Sequence, residues 1–238
     1  SFYLKPEDEG PLPPFKPGQY ITVHIDHPHT PTSPRNYSLS DCASQPHYRI
    51  SVKREERLVA DAPDGLISNH LHDDIEEGHR IELGPPCGEF TVDPAAVAKP
   101  VVLIAGGIGV TPLLSMAKSI IHANLSAEVH FIQAARNSKV HAFADELRGL
   151  AQAGPNVHTK VIYDSPLPGD MENGKCDETG FITTELIREW TPFAEADFYF
   201  CGPKPFMINV HACLRELGVD EHRVRYEFFG PKEELAAV

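Results

Sequence analysis

The sequence predicts a β + α/β protein, in which an antiparallel Greek-key β-barrel precedes a doubly wound parallel sheet. Up to residue 98, short runs of alternating polar and apolar residues are separated by Pro, Gly, Asn and Asp, as in small antiparallel barrels. From residue 99 onward, strand-like and helix-like segments alternate, which is typical of a parallel sheet with right-handed crossovers. A glycine-rich turn at 106–109 joins the first apolar strand of this second part to a helix.

The 238 residues are enough for two domains, which we place at 1–98 and 99–238. The formal net charge of −13 and the lack of basic clusters argue against nucleic acid or an anionic membrane as a partner. Five scattered cysteines without CxxC spacing predict reduced thiols in a cytoplasmic protein, with neither a zinc site nor an iron–sulfur cluster. Because the chain begins with a strand-like run, we expect a further domain or strand upstream.

In the first part, the alternating runs predict one short helix, at 66–73, and five strands: 20–25, 37–39, 48–53, 80–83 and 89–92. His24, His27 and His29 suggest a metal site, but Pro28 and the loop setting give them no regular common face. We therefore predict a solvated loop and no bound metal.

The glycine-rich turn follows an apolar run at 101–105 that predicts a strand buried on both faces. After the glycines, a helix is predicted to begin at Thr111, with Thr111 as N-cap and Pro112 in the first turn. Such a turn presents backbone N–H groups and the positive end of a helix dipole, which together bind phosphate. Thr-Pro replaces the third glycine of the usual dinucleotide fingerprint, and no Lys follows, which argues against a P-loop. The stretch alone leaves a nicotinamide, flavin or other nucleotide open.

Two stretches of the first part carry further candidate chemistry. In 35–38, an Arg suited to phosphate, a Tyr suited to a planar ring and a Ser hydroxyl stand together. In 65–70, a glycine turn enters a helix whose amides and Ser68 hydroxyl are suited to a second phosphate. Taken alone, the first stretch is better explained as a surface strand of mixed polarity, and the second fits an ordinary helix cap equally well.

The second part continues with predicted strands and helices in alternation. The strands are 127–133, 156–163, 196–201 and 223–229, and the helices are 111–123, 141–153, 183–190 and 203–217. Ligands of such sheets bind past the carboxyl ends of the strands, where the strand order reverses. The segments 106–109, 136–137, 201–203 and 228–230 all fall at these ends, which indicates one shared site.

Four motifs, in their order along the chain, resemble the ferredoxin–NADP⁺ reductase superfamily. They are Arg-x-Tyr-Ser at 35–38, Gly-x-x-Ser-Asn at 65–69, Gly-Gly-x-Gly-x-Thr-Pro at 106–112 and Cys-Gly-Pro at 201–203. Further motifs resemble, more specifically, the reductase half of flavohaemoglobins, which are nitric oxide dioxygenases with an N-terminal globin. These motifs are 17–20, 52–55, 68–72, 141–145 and 226–231. The resemblance covers essentially the whole chain.

The resemblance implies FAD on the barrel. The residues carried over by position are Tyr20, Arg35, Asn36, Tyr37, Ser38, Gly65, Ile67, Ser68 and Asn69. Arg35 is expected on the pyrophosphate, Tyr37 against the flavin, and Ser38 near the flavin N5, where the hydride arrives. Asn36 stands where the family usually has Gln.

The resemblance also implies NADH or NADPH on the α/β domain. The residues carried over are Gly107, Ile108, Gly109, Val110, Thr111, Pro112, Cys201, Gly202 and Pro203. The stretch against the isoalloxazine is Glu227, Phe228, Phe229, Gly230 and Pro231, with Phe228 where Cys or Val is frequent. Ser38 and Glu227 are expected to act catalytically by tuning the flavin. Arg136 suits a 2′-phosphate, yet the matching family segment mostly accepts NADH, which we prefer.

The function implied is an FAD-dependent NAD(P)H oxidoreductase module that passes single electrons to a globin haem for nitric oxide dioxygenation. That haem is expected only in an upstream or separate globin domain, since this chain contains none. Two alternatives stay open. One is a free-standing reductase of ferric chelates, flavins or a ferredoxin-type partner, and the other is a nucleotide sensor without catalysis.

Overall fold

The computed structural model describes residues 1–25, 34–55, 65–124 and 126–229. Among the predicted residues, His27, His29, Gly230 and Pro231 lie outside this part of the chain. None of the helices within it is long and apolar enough to span a membrane.

The first part of the chain forms two small antiparallel sheets around one apolar core. The elements are β1 (Phe2–Leu4), β2 (Tyr20–His24), β3 (Arg35–Ser38), β4 (Tyr48–Ile50), α1 (Leu66–Asp73) and β5 (Glu82–Leu83). β1 pairs with β4, and the order of the second sheet is β3-β2-β5. A bridge between Leu39 and Ile50, both fully buried, joins the two sheets. The antiparallel architecture predicted from the alternation is confirmed, and α1 has the predicted bounds.

The predicted strand at 89–92 is wrong. Gly88 turns the chain with a φ of +109°, and the Val92 amide donates to the Pro17 carbonyl at 3.3 Å outside any ladder. Phe90 and Val92 alternate because they face a core shared with the parallel sheet. The same apolar spacing that predicts a strand therefore comes from an irregular segment packed on one side.

The second part forms a six-stranded sheet in which all strands are parallel. The strands are β6 (Val101–Gly106), β7 (Val129–Ala135), β8 (Val157–Tyr163), β9 (Glu178–Thr179), β10 (Asp197–Cys201) and β11 (Val224–Glu227). Their order is β11-β10-β6-β7-β8-β9. Strands β7, β8 and β9 are therefore added on one side of β6, and β10 and β11 on the other, so the strand order reverses between β6 and β10. This confirms the predicted doubly wound sheet. The two-residue strand β9 lies between the predicted strand 156–163 and the predicted helix 183–190, where no element was predicted, and it extends the edge beside β8.

Helices cover both faces of this sheet. They are α2 (Val110–Ala123), α3 (Ala144–Ala151), α4 (Thr184–Trp190) and α5 (Lys204–Glu216). Buried residues of α2 and α3 pack on one face, and those of α4 and α5 pack on the other. All six residues of β6 are buried, as its unbroken apolar sequence predicts.

Helix α2 lies between the parallel sheet and the antiparallel sheets. Ten of its 14 residues are buried, so it is apolar on more than one face. Toward the antiparallel sheets, the Ser115 hydroxyl donates to the Asp41 carbonyl at 2.6 Å, and the Ala43 amide donates to the Ser119 hydroxyl at 3.0 Å. These bonds between side chains and backbone fix the position of α2 relative to the antiparallel sheets.

A charge network strengthens the same contact. Arg49 of β4 is 3 % exposed, donates to Glu146 of α3 at 2.7 Å and also binds the backbone carbonyl of Ser40. Lys118 of α2 donates to Asp41 at 2.8 Å. Burial alone would raise the pKa of Asp41, but the hydrogen bond from Lys118 and the nearby Arg49 charge outweigh it, so the pKa is lowered. The network therefore joins β4, α2 and α3 with ionised groups.

Replacing Arg49 with Met removes the cation and leaves Asp41 and Glu146 with one positive partner fewer in a buried setting. We expect a loss of about 3–5 kcal/mol in the free energy of unfolding, measured by urea denaturation. Arg54→Met is the matched control, because Arg54 pairs with Asp73 at the surface, where screening leaves little stabilisation. Equal unfolding midpoints for both variants would contradict a structural role of the Arg49 network.

Candidate functional site

The turn after β6 is built from backbone rather than from side chains. Gly107–Gly109 form a 3₁₀ turn that runs directly into α2 at Val110, and Gly107 has a φ of +53°. No side chain caps this helix. The predicted N-cap role of Thr111 is wrong, because the helix begins one residue earlier and the Thr111 hydroxyl donates to the Ile108 carbonyl at 3.0 Å. Pro112 is buried within the first helical turn.

Three glycines allow the ends of β6 and β10 to meet. A Cβ at Gly109 would lie 2.3 Å from the Cys201 carbonyl oxygen. Cβ atoms at Gly106 and Gly202 would lie 2.8 Å and 2.6 Å from the Phe206 ring of α5. A side chain at Gly109 would therefore push the turn away from β10. The structure brings the two predicted nicotinamide segments, 107–112 and 201–203, together at the point where the strand order reverses.

The predicted flavin residues of β2 and β3 lie on one antiparallel pair of strands, on alternating faces. Tyr20 pairs directly with Ser38, so these two residues share a face. Ser38 is 6 % exposed. A hydroxyl beside an aromatic ring is suited to a planar ligand with a hydrogen-bonding edge.

The other residues of that hairpin are more exposed. Arg35 and Asn36 lie at the surface, where Arg35 donates to the Pro34 carbonyl and Asn36 accepts from Thr22 at 2.9 Å. Tyr37 is half-buried, and burial raises the pKa of its hydroxyl, with Arg35 partly opposing the shift. The guanidinium of Arg35 is therefore accessible to an anionic group.

Glu227 connects the antiparallel hairpin to the parallel sheet. It ends β11 and pairs with Cys201 in register. A Cβ at Gly88 would lie 3.1 Å from the Tyr20 ring and 3.9 Å from the Glu227 carboxyl, so Tyr20 and Glu227 meet at the same loop. Gly88 is not among the predicted site residues, because its only signal in the sequence is one glycine between two strand-like runs.

The Glu227 carboxyl is in an unusual state. Its Oε2 atom is buried without a hydrogen-bond partner among the described residues. Burial raises its pKa to about 7. Burial and the Glu227 charge also raise the pKa of the Cys201 thiol well above its ordinary value, so this cysteine stays protonated. The site therefore holds a carboxyl that gains or loses its proton near neutral pH.

The predicted residues at the start of α1 bind their own loop. The Ser68 hydroxyl donates to the Gly65 carbonyl at 2.9 Å and accepts from the Glu55 amide at 3.1 Å. Asn69 donates to the carbonyls of Gly65 and Glu55. Ile67 is 3 % exposed and belongs to the core of the antiparallel sheets. A ligand at the start of α1 would be bound by backbone amides, because the Ser68 and Asn69 side chains already form hydrogen bonds within the loop.

The aromatic residues after β11 lie beside Glu227. Phe228 is half-buried against the core of α4 and α5, and Phe229 is 47 % exposed. Tyr226 stacks on Phe200 of β10 with ring centroids 5.3 Å apart. An exposed phenylalanine next to a buried carboxyl provides an apolar wall for a planar ligand.

Comparisons with known proteins identify the family. The profile of the oxidoreductase NAD-binding domain matches residues 103–212. The crystal structure of the flavohem-like FAD/NAD-binding domain of nitric oxide dioxygenase from Vibrio cholerae superimposes with a TM-score of 0.84. It is 35 % identical over 97 % of this chain and 92 % of its own. This chain belongs to the flavohaemoglobin reductase family. The predicted resemblance is thus confirmed, and with it membership of an oxidoreductase family.

Other members of the flavohaemoglobin family are longer than this chain. "Flavohemoprotein" of Rhodopirellula baltica is 90 % identical over the whole chain, and that of Halalkalibacterium halodurans is 46 % identical. The chain spans 58 % and 57 % of their lengths. A flavohemoglobin structure from Malassezia yamatoensis, with bound FAD and heme, is 25 % identical over 95 % of this chain and 55 % of its own, with a TM-score of 0.75.

Replacing Glu227 with Gln should change how stability depends on pH. Because the folded-state pKa is raised from 4.5 to about 7, the folded protein binds more protons than the unfolded chain between these values, and stability falls as pH rises through them. Because glutamine does not titrate, the variant does not lose stability over this pH range. Above pH 7 we expect it to be more stable than wild type by on the order of 3 kcal/mol, since one pKa unit corresponds to about 1.4 kcal/mol.

Urea unfolding between pH 4.5 and pH 8 measures the difference in the free energy of unfolding between the variant and wild type. This difference should grow with pH and be smallest at the acidic end. Glu89→Gln is the control, because that glutamate is solvated and its replacement removes the same charge. A difference between Glu227→Gln and wild type that stays constant across the range would contradict the raised pKa.

Proposed function

We propose that this chain is the FAD-dependent NAD(P)H oxidoreductase part of a flavohaemoglobin. The observation that supports this most is the meeting of Tyr20 and Glu227 at Gly88, with Ser38 opposite Tyr20 in the hairpin. The two sets of residues come from distant parts of the chain, and they meet at the carboxyl end of β11, beside the end of β10 that borders the switch point. Such a cleft between two folded parts suits two cofactors that must touch.

The hairpin residues fit an FAD. Tyr20 and Tyr37 offer aromatic surface to a planar ring, and the Ser38 hydroxyl, opposite Tyr20, suits a hydrogen bond to its edge. Arg35 is exposed, and its guanidinium suits a pyrophosphate bidentately. The Malassezia yamatoensis relative is described with bound FAD, which supports the same cofactor here.

The turn after β6 fits the phosphates of NADH or NADPH. The first turn of α2 has no side-chain cap, and Gly107 leaves its surface open, since a Cβ there would meet nothing within 4 Å. Cys201 and Gly202 continue this surface toward Glu227, which suits the nicotinamide end. The name of the Vibrio cholerae domain, which includes NAD, supports this assignment. We propose NADH as the preferred nucleotide on the family resemblance.

When bound, FAD would accept hydride from NADH or NADPH and release electrons singly to a haem. The chain's own residues orient the partners and control protons. Ser38 would donate its hydrogen bond to the ring that lies against it. Glu227, with a pKa of about 7, would hold or release a proton at its carboxyl beside that ring. The buried ends of β6 and β10 would exclude water.

We further propose that the haem belongs to a globin domain, upstream or on a separate chain, and that the complete activity is nitric oxide dioxygenation. The greater length of the curated relatives and the heme of the Malassezia yamatoensis protein support a globin partner. We place the boundary between the two domains of this chain at 98/99, where Ala98 and Lys99 are exposed. The five free thiols support a cytoplasmic setting.

Anaerobic stopped-flow reduction tests the function directly. The purified chain should be yellow, and NADH should bleach the visible absorption of its oxidised flavin faster than NADPH does. Mixing the reduced protein with a ferric globin should then restore the colour in single-electron steps. A colourless protein that binds no FAD, or a yellow one that neither nucleotide bleaches, would contradict the proposal. If ferric chelates or a ferredoxin restore the colour and the ferric globin does not, the result would favour the free-standing reductase.

Replacing Ser38 with Ala tests the role of its hydroxyl. We expect the rate of reduction by NADH to fall about 10²-fold, as for other groups that stabilise a transition state. The FAD affinity should change much less, because the pyrophosphate and ring contacts stay. Ser44→Ala is the control, since that serine is exposed. Equal losses of rate and FAD affinity in Ser38→Ala would show that the hydroxyl only holds the cofactor.

A further inference from the structure

Three side chains with metal-binding atoms lie at the amino-terminal edge of the parallel sheet, away from the cleft. His130 of β7 pairs directly with His158 of β8, and Glu128 precedes His130 by two residues. Residues two apart in a strand, and residues paired across strands, share a face of the sheet. Their ligand atoms all lie within 4.8 Å of one another.

The central residue is enclosed and the outer two are accessible. His130 is 7 % exposed, with the His158 ring 4.6 Å and the Trp190 ring 5.2 Å from its own centroid. His158 is exposed, and the Glu128 side chain is 43 % exposed. A small ion can therefore reach the cluster from solvent without opening the core.

His130 uses one of its two ring nitrogens for a hydrogen bond. Its Nε2 lies 2.9 Å from the Glu128 carboxylate. Its Nδ1 is buried without a hydrogen-bond partner among the described residues. Because a neutral imidazole carries only one N–H, its other nitrogen offers a lone pair, which is the form that binds a metal. Nε2 and the Glu128 carboxylate therefore already face each other as two ligand atoms of one site.

We propose that Glu128, His130 and His158 bind a divalent transition-metal ion of the zinc class, with water as the fourth ligand. The ion takes the place of a proton between Nε2 of His130 and the carboxylate, and the neutral ring then carries its proton on Nδ1. Two imidazoles and one carboxylate are an established ligand set for Zn²⁺.

The distances allow such an ion after small side-chain movements. Tetrahedral Zn²⁺ at about 2.0–2.1 Å from its ligands holds the ligand atoms roughly 3.3 Å apart. Glu128 and His130 are already closer than this, and the exposed His158 can rotate to complete the set. The bound ion would tie β7 to β8 and fix the ring of His130 against Trp190. Its role would be structural, and it does not depend on the function proposed for the cleft.

Calorimetric titration of the chelator-treated 238-residue chain with Zn²⁺ tests the site. We expect one ion per chain and a rise in the thermal unfolding midpoint, because an ion that binds only the folded state stabilises it. His158→Asn and Glu128→Gln should each weaken the affinity at least about tenfold, since even loss of an outer-shell partner costs about 10–100-fold. Both side chains are accessible, so the variants should fold.

His211→Asn is the matched control. His211 lies 3.5 Å from the Glu221 carboxylate, and its side chain is 15 % exposed, but within the described ranges no further ligand joins this pair. This variant should keep the wild-type affinity for Zn²⁺ and the wild-type rise in midpoint. The proposal is overturned if wild type binds no stoichiometric Zn²⁺, or if His158→Asn binds it as tightly as wild type does.

Discussion

The buried guanidinium of Arg49 holds the two parts of the chain in the orientation on which the cleft depends. It lies in β4, pairs with Glu146 of α3, and shares Asp41 with Lys118 of α2. A guanidinium this deep is stable only while it keeps its partners, so the network favours one arrangement of the antiparallel sheets on α2. Because α2 begins at the glycine turn, the same arrangement fixes the distance between the hairpin of β2 and β3 and the end of β10.

The cleft itself depends on backbone contacts that only glycine allows. Gly109 lets the turn after β6 rest on the Cys201 carbonyl, and Gly88 lets the Tyr20 ring and Glu227 approach one loop. Because no side chain caps the first turn of α2, a phosphate there would be bound by backbone amides. Specific chemistry is then left to a few side chains, Ser38 and Glu227 among them.

Local sequence patterns predicted most elements, including α1 and the strands of the parallel sheet, and failed for one irregular segment and for partners that are distant in the sequence. The apolar run of β6 and the strand–helix alternation gave the doubly wound sheet correctly. Phe90 and Val92 alternate like a strand yet pack from an irregular segment. Arg49 and Glu146 are 97 positions apart, so no local pattern joins them. For the same reason the site was predictable as motifs at strand ends, while the contact between Tyr20, Gly88 and Glu227 required the fold.

Two buried titratable groups show how an incomplete set of partners indicates a ligand. Glu227 has too few partners: one carboxylate oxygen is buried without a donor, and the group reduces the cost by keeping a proton up to about pH 7. At His130, Nδ1 is buried without a partner among the described residues, and Nε2 faces the Glu128 carboxylate. A planar cofactor with hydrogen-bonding edges would supply a partner to Glu227, and a cation would bind between Nε2 of His130 and the Glu128 carboxylate. Because the two groups lie at opposite edges of the sheet, each can be completed without the other.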